Sequence, residues 1–116
     1  PLFTETGQIR SEVTFQQLGR HVFFTETGRP LTGGAAKGDS PFLERYAGVA
    51  YYLLFNGVLG DKRPDGGNVL TAKVLADLVP HDGPRVVFGE GCRLSPSRLR
   101  RENITFKQIP YQVRAD

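Results

Sequence analysis

Residues 81–113, HDGPRVVFGEGCRLSPSRLRRENITFKQIPYQV, contain the signals of a strand, a helix and a second strand in immediate succession. The first strand, 85–88, is a short apolar run bounded by turn-forming residues on both sides. The second, 104–109, is rich in β-branched and aromatic residues and precedes Pro110, which cannot continue a helix. Because such crossovers are right-handed and join parallel strands, we expect the two strands to be parallel neighbours.

The helix between these strands has a well-marked beginning. Ser95 is suited to the N-cap position, and Pro96 follows at the first helical position, where its missing N–H has no cost. Leu94 and Leu99 have the spacing of a hydrophobic staple across that start. The sequence therefore predicts a helix that begins at Ser95 or Pro96 and ends near Asn103.

A similar unit precedes this one. Residues 48–55 are apolar on both faces, as in a strand covered on two sides, and Asn56-Gly57 is a strong turn signal. Asn68 is suited to cap a helix that Pro80 ends, with apolar residues at three- and four-residue steps, namely Leu70, Val74, Leu75 and Leu78. These patterns predict an α/β fold with a small parallel, possibly mixed, sheet built from consecutive βαβ units.

The N-terminal third has weaker signals, and we expect irregular, β-rich structure over residues 1–47 and a βαβαβ core over 48–116. Phe3-Thr4-Glu5-Thr6-Gly7 recurs as Phe24-Thr25-Glu26-Thr27-Gly28, which we interpret as two strand-to-turn endings. Residues 31–41 are rich in glycine, alanine and serine and indicate a loop. At 116 residues the chain has the length of one domain. It begins at Pro1 without a methionine, so we expect a C-terminal fragment of a longer protein.

Composition favours a cytoplasmic protein. No apolar run reaches the ~18–20 residues of a membrane span, and no signal peptide is visible. The single cysteine, Cys92, cannot form an intrachain disulfide, as is usual in reducing compartments.

The basic residues are unevenly distributed, although the net charge is only +3. Five of them fall within fifteen residues that hold a single acid, Glu102; they are Arg93, Arg98, Arg100, Arg101 and Lys107. Arg98 and Arg101 share a face of the predicted helix. Two interpretations follow: a solvated helix face, or a nucleic-acid-binding surface that contacts phosphates.

Two short segments have features of a methyltransferase site that uses S-adenosylmethionine (SAM). Gly89-Glu90-Gly91 follows a strand, as a cofactor-binding glycine turn does, and residues 108–111 supply a proline and an aromatic ring, as a base-binding turn does. Their separation leaves room for only one helix and one strand, and the second strand carries Gln108 where an acid for the ribose belongs. We therefore expect neither a complete site nor SAM binding by the isolated chain.

Other catalytic constellations are poorly supported. His21 and His81 lack ligands at helical spacing, which argues against zinc. Asp61, Asp65 and Glu90 are candidates for a magnesium site at the strand ends, but turn chemistry is the commoner reason for aspartate beside glycine or proline. No catalytic, cofactor-binding or metal-ligating residue is assigned from these patterns, and the enzymatic status of the chain itself stays open.

Several longer segments occur in a recognisable order. They are residues 20–28 (RHVFFTETG), 52–57 (YLLFNG), 66–71 (GGNVLT), 91–94 (GCRL) and 104–111 (ITFKQIPY). Together they resemble the C-terminal region of adenine-specific DNA methyltransferases of the type III restriction-modification class, over nearly the whole chain. In that family the SAM-binding glycine motif and the Asp-Pro-Pro-Tyr turn lie upstream of this region.

The resemblance implies a non-catalytic C-terminal domain that serves assembly or DNA holding. It also implies that SAM and the catalytic residues belong to the remaining methyltransferase domain, with a homodimer and a restriction subunit as partners. The alternative is a stand-alone nucleic-acid-binding or nuclease-like α/β domain.

Overall fold

The chain folds around a four-stranded sheet with helices on both sides. A computed structural model describes residues 14–32, 40–57 and 61–109. Its elements are α1 (Phe15–Thr27), β1 (Phe42–Tyr46), β2 (Val49–Leu53), β3 (Val69–Leu70), α2 (Ala72–Asp77), β4 (Arg85–Gly89), β5 (Gly91–Cys92), α3 (Pro96–Arg101) and β6 (Ile104–Gln108). The main sheet has the order β1-β2-β4-β6, and β3 pairs with β5 in a separate two-stranded sheet. The mixed helices and mostly parallel strands place the chain in the α/β class.

The segment from β4 to β6 has the predicted strand–helix–strand order. The two strands are parallel neighbours, with Arg85 opposite Ile104 and Gly89 opposite Gln108. Helix α3 lies between them in the chain and begins at Pro96, as predicted. It is followed by Asn103 in the left-handed conformation at φ 56°, which asparagine tolerates better than most residues. The prediction of neighbouring parallel strands is therefore confirmed.

The sheet is mixed because β1 pairs with β2 in an antiparallel hairpin, while β2 is parallel to β4. Ala47 and Gly48 form the hairpin turn with φ values of 53° and 82°. Positive φ at both central residues is the mark of a type I′ turn, which matches the twist of the flanking strands. The expected series of consecutive βαβ units is thus altered by this hairpin and by the β3–β5 pair.

The helix expected to begin at Asn68 begins later. Thr71 is the N-cap of α2, and its hydroxyl accepts a hydrogen bond from the Val74 N–H at 3.2 Å. Asn68 is fully buried, and its side-chain Oδ1 accepts from the Asn56 backbone N–H at 2.6 Å. The prediction was wrong because Leu70 belongs to β3, whose pairing with β5 is not a local property of the sequence.

The N-terminal third contains a helix where strands were expected. Residues 24–27 form the last turn of α1 and Gly28 is its left-handed C-cap, so the predicted strand-to-turn ending is wrong there. Thr14 starts the helix with a capping box that includes Gln17. The first copy of the repeat, residues 3–7, lies outside the described residues, as does most of the predicted loop, 33–39.

Two apolar layers hold the sheet. On one face, Leu18, Val22 and Phe23 of α1 pack against β2 and β4, and the Phe23 ring meets the edge of Tyr51 with centroids 5.2 Å apart. On the other face, α2 and α3 cover the same strands, with Leu75 buried and Leu99 half-buried. Strand β4 therefore has apolar neighbours on both faces, which explains its continuous apolar run.

Candidate nucleic-acid interface

The short helix α3 carries three of the five basic residues predicted to contact nucleic acid. Ser95 fixes its start, since its hydroxyl accepts from the Arg98 N–H at 3.2 Å. Leu99 of α3 and Leu94 just before it pack against the apolar layer below, whereas Arg100 and Arg101 are exposed. Arg98, Arg100 and Arg101 all lie in the last turn, where positive charge is favourable to the helix dipole.

Arg98 does not extend into solvent as an independent charge. Its Nε donates to Glu102 Oε2 at 3.2 Å, one helical turn along, and its side chain is half-buried. The other oxygen, Glu102 Oε1, lies 3.5 Å from Nη2 of the largely buried Arg85. Glu102 is thus shared between two guanidinium groups, and the trio fastens α3 to β4.

Lys107 is also paired with an acid. Its Nζ donates to both carboxylate oxygens of Glu26, at 2.6 and 2.8 Å. This contact joins β6 to α1 on the face of the sheet opposite α3. Lys107 therefore contacts a different element from the α3 arginines. Local sequence does not predict this pairing, because Glu26 is 81 positions away.

The other three basic residues are differently placed. Arg93, Arg100 and Arg101 are exposed, and no ion pair joins any of them to an acid within 14–32, 40–57 and 61–109. Arg93 directly follows β5, and its N–H donates to the Leu70 carbonyl at 2.8 Å, which fixes its backbone. The predicted group of five thus divides into two residues engaged in the fold and three with charges open to solvent.

The segment Gly89-Glu90-Gly91 joins the end of β4 to the start of β5, and its residues contact neighbouring strands. The Glu90 N–H donates to the Asn68 carbonyl at 2.7 Å, and the Glu90 carbonyl accepts from Gln108 Nε2 at 3.0 Å. A methyl group on Gly89 would lie 2.8 Å from the Asn68 carbonyl oxygen. Gly91 pairs with Val69 in the small sheet. The need for glycine at Gly89 is therefore explained by this close backbone approach.

Asp61, one of the two aspartates considered for a metal site, has other contacts. Asp61 accepts two hydrogen bonds from the Arg63 guanidinium, at 2.9 and 2.8 Å, and one from Asn56 Nδ2 at 2.8 Å. These bonds hold the pKa of the Asp61 carboxyl well below its usual range, with Arg63 the main cause. No three His, Cys, Asp or Glu side chains come together as a metal site in the described part of the chain.

His81 has a structural role between two loops. Its Nδ1 accepts from Arg45 Nε at 3.1 Å, and its Nε2 lies 2.9 Å from the Gly48 carbonyl. Since the arginine N–H can only donate, Nδ1 is the acceptor and Nε2 carries the proton. The ring thus ties the β1–β2 turn to the loop before β4.

A cavity of about 290 Å³ opens at the carboxyl end of β2. Its lining is mainly apolar, with Phe15, Phe55, Val74 and Leu78 among its members. Asn56 also faces it, but its amide group already donates to Asp61 and to the Gly66 carbonyl. The cavity therefore presents mostly apolar contacts rather than a set of catalytic groups.

Comparison with protein families, curated proteins and solved structures gives no match for this chain. The candidate site is therefore assigned from the geometry of this chain alone. What that geometry offers chemically is positive charge: three exposed arginines, with Arg93 directly after β5 and Arg100 and Arg101 at the end of α3, suited to contact an anion.

Proposed function

We propose that this chain is the non-catalytic C-terminal domain of an adenine-specific, SAM-dependent DNA methyltransferase of a type III restriction-modification system. Its role is to help the parent enzyme assemble and hold DNA. The observation that carries the proposal is the ordered series of segments from residue 20 to residue 111 that resemble the C-terminal region of that family.

Three of these segments are in contact in the fold. Asn56 in the second segment donates its N–H to Asn68 Oδ1 in the third, at 2.6 Å. The Arg93 N–H in the fourth segment donates to the Leu70 carbonyl in the third, at 2.8 Å. The likeness to the family itself rests on the sequence of the segments and their order.

The proposal assigns SAM and the catalytic turn to the rest of the parent protein. It also includes a second copy of the enzyme and a restriction subunit as partners, DNA as substrate of the parent enzyme, and a cytoplasmic location. Within the described ranges, no helix is long and apolar enough to cross a membrane.

The test begins with the gene that encodes this chain. We expect the reading frame to encode, upstream, a SAM-binding glycine motif and an Asp-Pro-Pro-aromatic turn. Transfer of a labelled methyl group from SAM to adenine in DNA is then compared for the parent enzyme and for the enzyme without residues 1–116. We expect the shortened enzyme to bind SAM but to lose DNA affinity or oligomeric assembly. Adding the chain in trans should restore part of the activity.

Two results would contradict the proposal. One is an upstream reading frame that encodes neither motif. The other is a shortened enzyme with unchanged oligomeric state, DNA affinity and kcat/KM. Retained SAM binding, measured by calorimetry, is the control that the shortened enzyme is folded.

A second candidate, a stand-alone nucleic-acid-binding domain, is favoured by one observation: the exposure of Arg93, Arg100 and Arg101 without acidic partners in the described residues. The gene distinguishes the two candidates, since a methionine codon directly before Pro1 would favour the stand-alone domain. The nuclease-like variant of this candidate lacks support from the described carboxylates, which form no metal-binding group.

A further inference from the structure

We infer that Arg93, Arg100 and Arg101 form the DNA-binding surface of this domain and contact backbone phosphates, whereas Arg98 and Lys107 do not. The inference deepens the proposed function by naming the residues that hold DNA. It rests on that proposal for the identity of the polyanion, and on the ion pairs for the choice of residues.

Charge pairing is the first step of the argument. An arginine that already shares a carboxylate gains less from a phosphate, because the phosphate must displace an existing charge-assisted hydrogen bond. Arg98 is held by Glu102 at 3.2 Å and Lys107 by Glu26 at 2.6 Å. Both are also only partly exposed, with Arg98 at 35% and Lys107 at 30% side-chain accessibility. Their charges therefore serve contacts within the fold.

The single acid of the stretch does not cancel the remaining charges. Glu102 lies next to Arg101 in sequence, but its two oxygens face Arg98 and Arg85. Two guanidinium groups and one carboxylate leave this network with a net positive charge. The field around Arg100 and Arg101 is therefore positive even with Glu102 nearby.

The three arginines lie at the two ends of one short helix. Helix α3 has six residues and is about 9 Å long at 1.5 Å per residue. That length is similar to the Debye length of about 8–10 Å near physiological salt, so charges at the two ends of α3 act on the same polyanion. Arg93 lies two residues before the Ser95 cap and extends the surface at the other end of α3. Guanidinium groups suit phosphate because their planar donors match two of its oxygens.

The expected binding is independent of base sequence. Phosphate contacts position a protein on DNA but do not read its sequence. The surface is therefore expected to hold any duplex, with sequence choice made elsewhere in the parent enzyme.

The test measures binding of the 116-residue chain to fluorescent duplex DNA at salt concentrations from 50 to 200 mM. Three variants are compared with the wild type. The first, R93A/R100A/R101A, removes the proposed surface. The second, R20A/K62A/K73A, removes the same charge from exposed positions on other elements. The third, K107M, removes the charge that is paired with Glu26.

We expect the first variant to lower the slope of log affinity against log salt by about 2.7, since each phosphate contact contributes about 0.9. Between 50 and 200 mM salt, the affinity of this variant should therefore fall about 40-fold less than the affinity of the wild type. The second and third variants should keep slopes within about one unit of the wild type. Circular dichroism of each variant establishes that it is folded.

Four results would overturn the inference. These are equal losses of slope in the first and second variants, a loss in K107M as large as in the triple variant, and wild-type chain that does not bind duplex DNA at 50 mM salt. The fourth is tighter binding to phosphatidylserine vesicles than to DNA, which would indicate a membrane-surface patch. None of these depends on methylation, so the proposed function of the parent enzyme is tested separately.

Discussion

Lys107 on β6 donates hydrogen bonds to both carboxylate oxygens of Glu26 on α1, at 2.6 and 2.8 Å. The two side chains are only 30% and 25% exposed, so solvent screens the pair less than it screens a surface ion pair. The contact fixes α1, which covers one face of the sheet, to an edge strand. A single long-range residue pair thus contributes to the placement of a whole layer.

The first prediction concerns the strength of this contact. K107M and E26Q should each lower the free energy of unfolding by about 1 kcal/mol, because each leaves a partly buried charge without its partner. The double variant should cost less than the sum of the two. Urea unfolding of all four proteins gives the coupling energy. Strict additivity would show that the pair contributes nothing beyond its separate side chains.

The second prediction distinguishes the two glycines of Gly89-Glu90-Gly91. An alanine methyl at Gly89 would lie 2.8 Å from the Asn68 carbonyl oxygen and 3.2 Å from the Phe106 ring. We expect G89A to lower the free energy of unfolding by about 2 kcal/mol, because backbone and core must move apart. At Gly91 the nearest atom would be Val69 Cγ2 at 3.8 Å, an ordinary contact.

G91A is therefore the matched control, with an expected change within about 0.5 kcal/mol. Both variants are compared by thermal and urea unfolding. Equal effects at the two positions would refute the packing explanation of the glycine motif.

The segment from β4 to β6 could be predicted because its signals are local. Ser95 and Pro96 are adjacent in sequence and act on the same helix end, and the apolar run of β4 needs no distant information. Helix α1 also had local signals, since Thr14 and Gln17 form a capping box and Gly28 ends the helix. The β propensity of the threonines and phenylalanine around Phe24 favoured a strand, but the packing of α1 against the sheet overrides that preference.

Other features could not be read from local sequence. Asn68 and Thr71 are both suited to cap a helix, and the choice between them depends on the pairing of β3 with β5. The partner of Lys107 lies 81 positions away, and Arg85 reaches Glu102 from another strand. The division of the basic residues into paired and exposed sets therefore required the tertiary structure.

The third prediction concerns the hairpin turn. Ala47 adopts φ 53°, a conformation that costs an L-residue with a simple side chain about 1 kcal/mol and that asparagine tolerates better. We expect A47N to raise the free energy of unfolding by about 0.5 kcal/mol, with Gly48 retained. The β-branched substitution A47V should lower it by about 1 kcal/mol. The opposite order in thermal unfolding would contradict the type I′ assignment.

The last prediction concerns stability at high pH and depends on Tyr52, whose hydroxyl donates to the Val79 carbonyl at 2.7 Å. Burial raises the pKa of the Tyr52 hydroxyl, although nearby Arg85 and Arg45 oppose the shift. A group with a pKa raised by folding gives its full stabilisation below its unfolded pKa of about 10 and loses it as pH rises through the folded pKa.

We expect Y52F to lower the free energy of unfolding by about 1 kcal/mol at pH 8, because the Val79 carbonyl loses its donor. This difference between tyrosine and phenylalanine should shrink above about pH 10, by up to about 1.4 kcal/mol per pH unit. Urea unfolding of both proteins from pH 8 to pH 11 measures it, with L75V as a control that weakens the core without removing an ionisable group. A constant difference across this range would show that ionisation of Tyr52 is not coupled to folding.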